Sequence, residues 1–193
     1  MRSSQPENSV HPTQSNGLFT TTNLLNEILL DHLASAIWTA KPPGNVRTIA
    51  AIFTHIHNVR TKWIRLTAPH LKIPAQLNRA HCTPRQARKA LAESAARCED
   101  MLAEVLAIEN GKCGDENEKA GEGKRAPRIT HFIRDGWAKP WPAGPGLSTR
   151  MLCYMLAHEA HHRGQVAMLA HQLGHPLPNA VTSEMWSWEK LWK

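Results

Sequence analysis

Four stretches of this chain place apolar side chains at helical spacing, and no stretch shows the strict alternation that a half-buried strand needs. Leu24, Leu25, Ile28, Leu29, Leu33, Ile37 and Trp38 recur along residues 23–40, with Thr21 or Thr22 as the cap and Pro42-Pro43-Gly44 as the stop. A second run over 46–67 carries Ile49, Ile52, Phe53, Ile56, Val59, Trp63 and Leu66, and Pro69 ends it. Thr83-Pro84 reads as an N-cap followed by a first-turn proline. The third helix then extends to about residue 108 on Ala87, Leu91, Ala95, Met101, Leu102 and Val105. The fourth spans 148–173, before Gly174 and Pro176. This pattern predicts an all-α fold: a four-helix bundle with a long crossover between helices 3 and 4.

The 193 residues suit one domain. Residues 1–20, rich in Ser, Thr, Gln and Asn and lacking an apolar signal core, read as a flexible leader; 21–178 form the bundle. Within it, the charged, glycine-rich stretch 110–128 predicts a mobile loop. The following stretch, 129–146, predicts an ordered crossover anchored by Phe132, Trp137 and Trp141. The tail, 179–193, holds Trp186, Trp188 and Trp192 and is expected to fold back as a short helix or cap.

No run approaches the 18 apolar residues of a membrane span, so no membrane role is expected. The net charge of +7 comes from 23 scattered Lys and Arg residues rather than from a basic stripe. It predicts a solvated basic surface and not a nucleic-acid partner. Cys82, Cys98, Cys113 and Cys153 form no C-x-x-C pair, which points to free thiols and a cytoplasmic setting.

Chemistry enters with the 12 histidines. His158 and His162 are one helical turn apart and share a face with Met151, Tyr154, Met155, Val166, Leu169 and Leu173. Burying two imidazoles there without partners costs on the order of 1–3 kcal/mol each, which a shared metal would offset. His161 points off that face. A third ligand must come from another helix: His55 and His57 both flank the apolar stripe of helix 2, His32 is a further option, and periodicity does not choose among them. Three neutral imidazoles suit Zn, Ni or Fe(II) and leave positions for water or substrate. Tyr154, Arg163 and Gln165 are candidates for contacts to the ligands or the substrate. Gly164, inside the helix, calls for a packing reason such as close helix approach near the site.

The segment His158-Glu159-Ala160-His161-His162-Arg163-Gly164-Gln165 resembles the H-x-x-H-H-R-G-Q signature of the DinB/YfiT-like family. His55-Ile56-His57-Asn58-Val59-Arg60, with Trp63 following, is a looser second match, and the likeness covers about 24–178. The resemblance implies a three-histidine site in which His55 joins His158 and His162 around one divalent metal ion. It also implies a small-molecule substrate, a homodimer, and chemistry similar to that of thiol transferases using bacillithiol or mycothiol, or of metal hydrolases.

Two rival readings use the same residues. His158-Glu159-x-x-His162 satisfies the H-E-x-x-H pattern of zinc peptidases, with Glu159 as general base. Glu159 turns about 100° from the ligand face, however, and reads better as a surface carboxylate. The other rival is a non-enzymatic stress protein in which the metal only ties helices together. A purely structural zinc site fills four positions with protein ligands, and the chain suggests three.

Overall fold

The computed structural model describes residues 16–41, 44, 46–111 and 128–191. The architecture is all-α. Four long helices, α1 (Asn16–His32), α2 (Ile49–Thr67), α3 (Pro84–Glu109) and α4 (Leu147–Gln172), are followed by the short α5 (Asn179–Glu184) and α6 (Trp188–Leu191). Among the long helices, α3 packs on α1, α2 and α4, and α4 also packs on α1 and α2. The crossover between α3 and α4 contains a two-stranded antiparallel hairpin, β1 (His131–Phe132) and β2 (Trp141–Pro142).

The ends of these helices follow from local chemistry. The Thr48 side chain accepts from Ala51 N–H at the start of α2. Thr83 and Gln86 form a reciprocal capping box at α3, with Pro84 in the first turn, where a missing N–H costs nothing. At the end of α4, Gly174 adopts φ +80° while His175 N–H returns to Ala170 O and Gly174 N–H to His171 O. That is a Schellman stop, and its left-handed residue favours glycine.

Several expectations need correction. α1 begins at Asn16, inside the stretch read as leader, because Phe19 is fully buried and extends the apolar face backwards. Thr21 and Thr22 are therefore buried within the helix and do not cap it. α1 also stops at His32; Ile37 belongs to a separate 3₁₀ turn, Ser35–Ile37. Next to it, Trp38 stacks on Phe53 and donates to Cys82 O at 2.6 Å. Trp137 is not an anchor: it stands 95% exposed at the hairpin tip, where Asp135 Oδ1 accepts from the backbone of Trp137 and Ala138. Phe132 is fully buried and does the anchoring. The tail forms α5 and α6 against α1, yet Trp186 remains 83% exposed. Residues 1–15, most of the loop expected at 110–128 (112–127, with Cys113), and Trp192 lie outside the described residues.

The core is split. One apolar cluster joins Leu29, Ile49, Phe53, Ile56, Leu91, Val166 and Leu169; another joins Phe19, Trp63, Met101, Leu102, Phe132, Met151 and Met155. Between the two clusters each long helix buries polar residues: Asn23 and Asn26 on α1, Arg60 on α2, Ser94 on α3, Glu159 on α4. A polar layer thus crosses the packed helices midway, and the histidines lie at the same level.

Candidate metal centre

α4 presents His158 and His162 one turn apart, with ring centroids 4.6 Å from each other. From α2, the His55 ring reaches within 4.6 Å of His162 and 5.5 Å of His158, centroid to centroid. One nitrogen from each of the three lies within 4.8 Å of the others. Nitrogens bound to a tetrahedral ion at roughly 2.1 Å stand about 3.4 Å apart, so the three rings would draw closer on binding one. His57 is elsewhere. Fully buried, it points its Nε2 at Ala75 O (2.8 Å) and its Nδ1 at Ser94 Oγ (3.2 Å). With Asn58, which brackets the backbone of Leu77, it pins the α2–α3 connection. His32 bonds Ile28 O on its own exposed turn of α1.

The three rings are held in the form that a metal needs. Burial first, then the charges of Arg47, His162 and His158, hold the His55 pKa down to about 3. Burial, then His162, hold His158 at about 4, and burial lowers His162 against a hydrogen bond to Gln165 that raises it. All three rings are therefore neutral near pH 7, the form that offers a lone pair to a metal. Gln165 Oε1 lies 2.8 Å from His162 Nδ1. An amide oxygen only accepts, so the proton sits on Nδ1 and Nε2 is left for a ligand. The Gln165 amide nitrogen meets exposed His161 at 3.0 Å. His158 Nδ1 is buried without a hydrogen-bond partner, which costs on the order of 1–3 kcal/mol that a cation on that nitrogen would relieve.

Tyr154 belongs to an aromatic group beside this centre. It packs edge-on to Trp63 at 5.8 Å, and Trp63 in turn sets its ring 5.2 Å from His158. Phe132 and Trp141 of the hairpin complete the group, so the crossover walls one side of the histidines.

Glu159 is not a surface carboxylate. It is fully buried, and its oxygens take Arg60 Nε at 2.6 Å and the terminal Arg60 nitrogen at 2.7 Å, plus Asn26 Nδ2 at 3.0 Å. Arg60, itself fully buried, also donates from its other terminal nitrogen to Asn23 Oδ1 and Leu91 O. Burial alone would raise the Glu159 pKa, but the Arg60 charge and hydrogen bonds, with Arg163 and Asn26, bring it below the usual carboxylate value. A carboxylate so held is a poor general base, which removes the physical basis of the peptidase reading. Arg163 is buried as well, with one nitrogen 3.7 Å from Glu159, and faces this layer. Gly164 is exposed, and a Cβ there would meet nothing within 4 Å, so no close helix approach explains it.

The Arg60–Glu159 pair was readable in principle. Arg60 continues the spacing of Ile52 and Ile56, and Glu159, with Arg163 one turn on, that of Met151 and Met155, so opposite charges stand on two apolar stripes.

Residues 140–190, which contain α4 and both of its clustered histidines, match the family model of the DinB family. Over that segment the chain is similar to the DinB family. His55 lies outside the matched segment, and it is the packing of α2 on α4 that brings it to the pair. No curated protein and no solved structure matches the chain. Among the described residues, no helix is long and apolar enough to cross a membrane.

Proposed function

We propose that His55, His158 and His162 hold one divalent metal ion and that the chain is a metal-dependent enzyme acting on a small molecule. The observation that carries this reading is the convergence of three neutral imidazoles from two helices. Such a donor set suits zinc, nickel or iron(II) and leaves coordination positions for a non-protein partner. An ion held there would supply Lewis acidity to a small thiol or to water, the chemistry of an S-transferase or a hydrolase. The chain's own residues do the positioning: Gln165 fixes the His162 tautomer, and Trp63 packs edge-on against His158 and limits its rotation.

Bacillithiol or mycothiol as co-substrate, a homodimer and a cytoplasmic setting extend the proposal. The free thiols of Cys82, Cys98 and Cys153 are in keeping with that setting.

Metal analysis of untagged protein tests the centre. About one equivalent in wild type and less than a tenth of that in His158→Ala is expected; equal content in both rejects the site. Electrophile consumption that requires added thiol then identifies the transferase, and turnover in water alone the hydrolase.

A further inference from the structure

Beside the histidines a cleft of about 630 Å³ opens between the start of α2 and the outer half of α4. Val46, Ile52, Met168 and Leu169 supply its apolar lining, Gln165 and Gln172 its amides, and Arg47 a guanidinium. The size is that of a small-molecule site. Two features make it unlike ordinary surface. Val46 and Met168 are 55% and 59% exposed, and so belong to the few large apolar side chains this protein leaves in solvent among its described residues. Arg47 is exposed and, among the described residues, has no carboxylate partner.

The cleft is joined to the candidate metal centre through Gln165, which lines one and hydrogen-bonds His162 in the other. Ile52 lies one turn before His55 on α2. Arg47 is near enough for its charge to act on both His55 and His162. A guanidinium beside an apolar wall recognises an anion with a hydrocarbon body. Among the described residues lining the cleft, Arg47 carries the only charge. One cation matches the single charge of a carboxylate, whereas a phosphate dianion would keep a charge unpaired.

We propose that this cleft binds a small carboxylic acid, its carboxylate on Arg47 and its apolar part against Val46, Ile52, Met168 and Leu169. As the substrate of the histidine centre, such an acid would extend past Gln165 toward His162. That last step rests on the metal reading; the binding itself does not.

The test titrates hexanoate and its uncharged counterpart hexanamide into the full chain, followed by calorimetry. Wild type, Arg47→Gln and His158→Ala are compared, each metal-loaded and after chelation. Hexanoate binding about tenfold tighter than hexanamide in chelated wild type is expected, with the preference lost in Arg47→Gln and kept in His158→Ala. Arg47→Gln keeps its metal. Equal binding of the two probes, no binding of either, or a preference that survives Arg47→Gln overturns the proposal. A preference present only with metal and absent in His158→Ala also overturns it, since the carboxylate would then be a metal ligand. Failure of the metal centre itself reads differently: no metal in any variant, with the Arg47-dependent preference intact.

Discussion

His158 and Glu159 are neighbours in the chain, yet they end in two regions built on opposite terms. Around Glu159 the strong donors of Arg60 and the Asn26 amide find acceptors, and Arg163 Nη1, 3.7 Å from the carboxylate, is the donor left without a hydrogen bond. Arg60, Asn26 and Asn23 close a layer in which a buried charge pair is held by hydrogen bonds from three helices. Around His158 the polar groups are left short: its own Nδ1 is unpartnered, the rings beside it are neutral, and that of His55 is partly open to solvent. The first region matches its buried charge pair within the protein. The second has lone pairs to give. A helix can supply both because residues one apart differ by about 100° in direction.

The comparison breaks most visibly at Glu159. Replacing it with Gln leaves the Arg60 charge buried and unpaired, and a loss of about 3–5 kcal/mol is expected in urea unfolding. Arg60→Met with Glu159→Leu removes both charges and should recover most of that loss. Singles costing less than about 1 kcal/mol would show that the charge pair is not matched in this way.

Gln165→Leu sharpens the other side. It frees the His162 tautomer, so metal affinity should fall about 10–100-fold, measured by competition with a chelating dye. Unfolding of the metal-free form should hardly change. An unaltered metal affinity would deny Gln165 its part.

A smaller, graded effect separates the regions by pH. The pKa values of His55 and His158 are depressed from 6.5 to about 3 and about 4, and that of His57 is also lowered by burial. The unfolded chain then takes up protons first, so stability is full above about pH 6.5 and declines as pH falls. The decline for His158 and His55 runs on toward pH 4 and 3. Glu159, depressed from the carboxylate range, adds its own loss only below about pH 4.3. Denaturation of chelated protein at pH 7, 6 and 5 should show the histidine phase; a flat profile contradicts it.

The smallest expected change is a gain. Gly164 faces neither region, and Ala fits without contact, so Gly164→Ala should add about 0.5–1 kcal/mol with metal content unchanged. A loss of metal would mean that this turn must bend.

Much of this was legible along the chain. Helices α2, α3 and α4 begin and end within a few residues of the expected positions, because caps and breakers act locally: Thr83 with Pro84 and Gln86, Gly174 with His175. The start of α1 was missed because Phe19 stands apart from the next apolar residues, and only its burial shows that the helix includes it. Trp137 misled because aromatic content argues for burial while an Asx-stabilised turn can hold a tryptophan in solvent.

By itself, the sequence determined that His158 and His162 would share a face, since one helical turn separates them and nothing distant alters that. It also determined the all-α class, through the period of its apolar residues. The tertiary structure alone decided that His55 rather than His57 meets them. Two residues on one helix point some 200° apart, and only the placement of α2 against α3 and α4 says which of the two faces which neighbour. The same packing turned Glu159 inward: a carboxylate becomes a core residue only when another helix brings it a guanidinium.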